Sequence, residues 1–217
     1  MKTIYFFSGL GADKRVFDLL QFPDYQSVFI QWISPNKKES IENYTARILN
    51  QITTKKPILI GLSFGGIIAV EVAKQIETEK VILIASAKSK REIPVYYRLA
   101  GSLQIHHLVP VNILKHANFL TNWLFGANSN HEKQILKQIL AETDPVFLKW
   151  AIDILLKWKN EVNHLNLIHL HGNKDRILPI RFIKNPLIIK DGGHLMILNK
   201  AEQLNQLLIQ LLENDKQ

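Results

Sequence analysis

Up to Ser86 the chain alternates short, nearly unbroken apolar runs with stretches whose apolar positions recur every three or four residues. The runs TIYFF (3–7), SVFIQW (27–32), PILIGL (57–62) and KVILIA (80–85) are rich in Ile, Val and Phe, and such continuous apolarity belongs to strands covered on both faces. Helical periodicity near 14–20, 40–54 and 65–76 fills the gaps, so the order predicts parallel strands joined by crossover helices.

After Ser86 the strand pattern stops, and helical periodicity takes over near 94–106, 111–125, 130–142 and 145–159. Pro94, Pro110 and Pro145 stand at or near the starts of these helices, where a missing N–H costs nothing, and Asp144 is placed to cap the last of them. Strand runs return as LNLIHLHG (165–172) and NPLIIKDGG (185–193). An amphipathic helix, AEQLNQLLIQLLEN (201–214), follows, and the final DKQ is expected to fray. The expected architecture is a single α/β domain. Its core, 1–87 and 165–217, holds a mostly parallel sheet of about six strands flanked by helices, and 88–164 forms a helical insertion.

Composition narrows the chemistry. The 217 residues are 47% hydrophobic, enough for one sizeable core, and the absence of cysteine excludes disulfides, thiolate metal sites and cysteine nucleophiles. The first residues, MKTIYFFSGLGADKR, are interrupted by glycines and charges too early for a signal peptide, and Glu71, Lys74, Lys115 and Asp153 break the most apolar helical candidates. A soluble cytoplasmic protein without stable membrane insertion is expected. The 27 Lys and Arg against 19 Asp and Glu give +8, but the charges are dispersed and lack interleaved aromatics. This reads as a solvated surface rather than a nucleic-acid site.

Gly61-Leu62-Ser63-Phe64-Gly65 matches G-x-S-x-G at the junction of the best buried-strand candidate and a helical stretch. Ser63 is then either a small residue capping that helix or a nucleophile held on a sharp strand-to-helix turn. A serine of ordinary acidity needs a base to take its proton and an acid to orient that base. Downstream, GNKDRILP places Asp175 just past one strand and GGH places His194 just past the next, in the chain order serine, acid, histidine. The glycines before His194 are expected to give the ring a flexible approach. Asp191 is a distant second candidate for the acid. Oxyanion donors are expected from the backbone N–H groups of Phe64 and of Leu10, the latter in the SGLG loop that leaves the first strand. Lys14 occupies the place where a dinucleotide loop wants its third glycine, which argues against a nucleotide. His169 and His171 alternate onto one strand face, yet no metal-ligand motif accompanies them, so neither a metal nor another cofactor is expected.

With SGLG, GLSFG, GNKDRILP and GGH in this order, the sequence resembles the α/β-hydrolase fold superfamily over most of its length. The resemblance implies Ser63, Asp175 and His194 as nucleophile, acid and base. It also implies the N–H groups of Leu10 and Phe64 as oxyanion donors and residues 88–164 as a helical lid. Two departures stand out: Ser8 replaces the usual His before Gly9, and the two customary leading strands are absent. The lid aromatics Tyr96, Phe119, Trp123, Phe147 and Trp150 are expected to line a substrate pocket. The implied activity is hydrolysis of a small or medium apolar ester. Thioester, amide or carbon–carbon bond hydrolysis with the same triad, or a non-catalytic ligand-binding protein, remain alternatives.

Overall fold

A computed structural model describes residues 1–162 and 166–213. Six strands, β1 (Lys2–Phe7), β2 (Tyr25–Phe29), β3 (Ile58–Leu62), β4 (Lys80–Ile84), β5 (Leu167–Gly172) and β6 (Leu187–Ile189), form one sheet in the order β2-β1-β3-β4-β5-β6. Every pairing is parallel. The period-2 alternation of side chains splits each strand between two cores. Ile4, Phe6, Ile60, Ile82 and Leu170 face one layer, with α6 (Asn130–Glu142) and α9 (Ala201–Glu213). Tyr5, Phe7, Leu59, Val81 and Leu83 face the other, with α1 (Ile41–Ile48), α2 (Phe64–Ala73) and α7 (Pro145–Lys157).

The chain steps outward from β1 to β2 and then returns past β1 to β3, so the strand order reverses between β1 and β3. Loops leaving the carboxyl ends of those two strands diverge, and this is where open α/β sheets form crevices.

Several predicted elements differ in extent. β2 ends at Phe29 rather than Trp32, and the stretch expected as a helix at 14–20 is one 3₁₀ turn, Lys14–Phe17, capped by Asp13. The expected helix 111–125 is divided into α4 (Val111–Leu114) and α5 (Phe119–Phe125), because the Asn118 side chain accepts the Thr121 N–H and starts a new helix. β6 keeps only three residues of the 185–193 run. Asp191 then turns the chain at φ 57°, with Gly192 N–H donating back to Ile189 C=O. A four-residue helix, α8 (Met196–Asn199), precedes α9 and had no distinct signal. Leu165 of the fifth strand run, Asn214 of the last helical run and the DKQ end lie outside the described residues. Between β4 and β5 the helices are α3 (Val95–Ser102), α4, α5, α6 and α7, with Asp144 capping α7 by accepting the Phe147 N–H at 2.7 Å. Among the described residues no helix is long and apolar enough to cross a membrane.

Candidate active site

Ser63 sits between β3 and α2 at φ 51°, ψ −121°, a conformation sparsely populated for a residue with a side chain and costing on the order of 1–3 kcal/mol. Neighbouring contacts enforce it. Ser63 N–H donates to Ile84 C=O at 2.9 Å, and the Ser86 hydroxyl donates to Ser63 C=O at 2.6 Å. The flanking glycines are required sterically, since a Cβ at Gly61 would lie 2.4 Å from Gly66 Cα and one at Gly65 would lie 2.2 Å from Ser8 C=O. The Ser63 side chain makes no capping hydrogen bond to α2. It faces His194 instead, with Oγ 2.9 Å from Nε2.

His194 Nδ1 lies 2.8 Å from Asp175 Oδ2. Asp175 is held by its other oxygen, Oδ1, which accepts the N–H groups of Ile177 at 2.9 Å and Leu178 at 2.8 Å. Burial alone would raise the Asp175 pKa. The proximity and hydrogen bond of His194, with His171 and the Leu178 N–H, outweigh it and hold the carboxyl below its ordinary range. An ionised carboxylate only accepts, so Nδ1 of His194 carries the proton and Nε2 is free to accept from the Ser63 hydroxyl. Asp191 pairs with Lys174 at 2.7 Å on the exposed surface and makes no hydrogen bond to His194.

Neither glycine before His194 has a positive φ, and the loop they form packs closely on other backbone. A Cβ on Gly172 would meet Gly192 C=O at 2.2 Å, and Gly193 lies against Gly126, so the loop is pinned where backbones cross. Leu195 N–H donates to Phe125 C=O at 2.9 Å, and the Phe125 ring stands edge-on to His194 at 5.5 Å.

Leu10 and Phe64 border the same space as Ser63 and His194. Phe64 is the first residue of α2, where a backbone N–H has no partner inside the helix. The Ser8 hydroxyl donates to Ala12 C=O, while Ala12 N–H donates to Gly9 C=O at 3.0 Å. The serine that replaces the usual histidine thus closes this loop from within. Gly11 adopts φ +70° and packs where a Cβ would collide with Thr143, which fixes the loop against α6.

Above Ser63 lies a cavity of about 390 Å³ with an overwhelmingly aliphatic wall, supplied largely by Ile139 and Leu140 of α6 and Ile152 and Leu155 of α7. The five aromatics expected to line it do not. Tyr96 points outward against Tyr97 and Phe182, Phe119 is 85% exposed, and Trp123 lies on the surface beneath Arg176. Phe147 and Trp150 pack with Tyr44 and Phe64 beside the sheet, and the Trp150 N–H donates to Glu39 C=O. The helical segment instead presents Tyr97, Leu114, Thr121 and Phe125 to the cavity. Helical spacing carried that signal, since Thr121 and Phe125 are four apart and Phe119 and Trp123 form the other stripe. Burial pushes the Tyr97 phenol up to about 12, so it stays protonated at the cavity wall.

Behind Asp175 stands a second buried pair. His171 Nε2 donates to Leu178 C=O at 2.7 Å, so its Nδ1 accepts from His169 Nε2 at 3.3 Å. Burial, reinforced by the proximity of His171 and Lys88, lowers the His169 pKa to about 3, and burial also lowers that of His171. Among the described residues one group, His106, His107 and Asp153, has metal-ligand spacing, but the Lys157 ammonium already lies 2.5 Å from the Asp153 carboxylate.

No family model and no curated protein matches the sequence. Solved structures match nearly the whole chain. A bromoperoxidase from Bacillus anthracis superposes with a TM-score of 0.73 at 16% identity, covering 98% of this chain and 92% of that one. A hydrolase from Oleispira antarctica gives 0.72 at 16% identity, with 99% and 92% covered. An esterase from Exiguobacterium antarcticum gives 0.70 at 14% identity, with 98% and 92% covered.

Proposed function

The chain has the α/β-hydrolase fold, and from that premise we propose that it is a serine hydrolase cleaving small or medium apolar esters through an acyl-enzyme on Ser63. The observation that carries the proposal is the continuous relay from Ser63 Oγ through His194 to a buried, ionised Asp175, at 2.9 and 2.8 Å. Ser63 Oγ attacks the ester carbonyl as its proton passes to His194 Nε2, and the N–H groups of Leu10 and Phe64 receive the developing oxyanion. His194 then gives the proton to the departing alkoxide, and the C–O bond breaks. A water molecule gives its proton to His194 and attacks the acyl carbon, Ser63 leaves with that proton, and a carboxylic acid is released.

The aliphatic cavity beside Ser63 supports an apolar acyl group, and its volume of about 390 Å³ fits a short to medium chain. The helices α3 to α7, within the segment 88–164, act in this reading as the lid over that cavity. Replacing Ser63 by Ala is expected to reduce ester turnover on the order of 10⁶-fold, as a steady-state assay on acyl esters of graded length would measure. Wild-type activity in the variant would overturn the proposal. A fluorophosphonate probe that fails to label Ser63 while an apolar ligand still binds would favour a ligand-binding protein instead.

A further inference from the structure

Of the sixteen large apolar side chains that stand exposed among the described residues, ten lie between Val95 and Trp123, so this outer surface is not the usual scatter. They are arranged by helical spacing. Val95, Leu99 and Leu103 form one stripe of α3 and its end, while Phe119, Leu120 and Trp123 form the outer stripe of α5. The opposite faces carry Tyr97 and Phe125, which wall the cavity, so these helices present apolar groups both inward and outward. Leu108 is 82% exposed and Ile113 63% exposed in the connections between them.

Positive charge predominates around this surface, and the Asp153 carboxylate that reaches it at His106 and His107 is already paired with Lys157. From Ile93 to His131 the chain contains no Asp or Glu but includes Arg98 and Lys115. Two further cations border it: Arg176 stacks 4.5 Å over Trp123 and donates to its carbonyl, and Arg181 lies 5.0 Å over Phe182, whose ring meets Tyr96. A second copy of the chain docked symmetrically here would set Arg98, Lys115, Arg176 and Arg181 against their own copies, with the Asp153 carboxylate already held by Lys157. Apolar side chains rimmed by guanidinium groups suit a layer with an apolar interior and an anionic face.

We propose that the outer surface of 95–123 docks on an anionic lipid surface. The consequence that the acyl esters reaching the cavity come from that surface rests on the hydrolase reading above.

The test uses the full chain carrying Ser63→Ala, so that no turnover intrudes, with vesicles of phosphatidylcholine containing phosphatidylglycerol and with pure phosphatidylcholine. Co-sedimentation is expected to be at least about tenfold tighter on the anionic vesicles and to weaken with salt. The combined substitutions Leu99→Ser, Leu108→Ser and Ile113→Ser are expected to lower that affinity at least about tenfold with an unchanged circular dichroism spectrum. Absence of binding, equal affinity for both vesicles, or undiminished affinity in the triple variant overturns the proposal. So does a dimer that the same substitutions convert to monomer by light scattering without altering vesicle binding. Vesicle binding by a wild-type protein that cleaves no ester would sink the hydrolase reading and leave the surface standing; cleavage of soluble esters without vesicle binding would do the reverse.

Discussion

The strands and the helices between β4 and β5 treat apolar side chains in opposite ways. Every residue of β3 and β4 is buried, whereas between Val95 and Trp123 Gly101 alone is. In the middle of the sheet, backbone pairing fixes each strand against its neighbours, and alternation then delivers the side chains of β3 and β4 to one of two cores. In the helical segment no such ladder exists, and a helix that covers a cavity on one side leaves its other side to solvent or to a partner. The proposed catalytic residues stand on loops leaving the rigid region. The cavity that would receive substrate is shaped largely by the other.

The contrast can be broken most strongly at Gly65. A methyl group there would lie 2.2 Å from Ser8 C=O and 2.3 Å from Phe7 C=O, both rigid backbone, so Gly65→Ala is expected to cost about 3–5 kcal/mol in urea unfolding and to abolish ester cleavage. A cost below about 1 kcal/mol would show that the junction of β3 and α2 yields more readily than its packing implies.

A smaller effect separates the sheet through its buried histidines. His169 titrates at about 3 in the fold against an ordinary 6.5, so between these values the unfolded chain binds a proton that the folded chain refuses. Its contribution to stability is full above pH 6.5 and falls as the pH drops toward 3, by about 1.4 kcal/mol per pH unit. His169→Gln, which keeps a donor for His171, should flatten the acid limb of a stability profile by about one proton. An unchanged limb would place the acid sensitivity elsewhere.

The smallest effect is expected on the outer face of α5. Phe119→Ser should change unfolding stability by no more than about 0.5 kcal/mol, because its ring is already 85% exposed. A loss of several kcal/mol would mean that this face is buried in solution, against a second copy of the chain.

Much of the sheet was legible because its signal is local. Continuous Ile, Val and Phe runs recover β1, β3 and β4 to within a residue or two, and strand-end glycines mark the turns that follow. The residues proposed as the triad were legible for a related reason. Each stands just past a strand, so chain order and strand position together restrict where its side chain can be. The close approach of Gly172 to Gly192 was not legible, because contact between two distant backbone segments leaves no mark in the sequence around either one. The aromatics Tyr96, Phe119, Trp123, Phe147 and Trp150 were misassigned for the same reason. Residue type says that a ring favours burial, but the direction each helix faces is set by its neighbours, which turned three of these rings outward and two into the sheet's own packing.

The sequence by itself determined the parallel α/β pattern and the serine, aspartate and histidine at successive strand ends, because periodicity and turn chemistry act over a few residues. Only the tertiary structure decided that Ser63 Oγ meets His194 rather than capping α2, that the Ser8 hydroxyl closes the loop beside it, and that the cavity wall is aliphatic. The first and last of these depend on contacts between residues more than a hundred positions apart or on which face of a helix meets the sheet, and the second on a loop conformation that α6 braces through Thr143 and Gly11. Such contacts are settled by packing the whole chain at once.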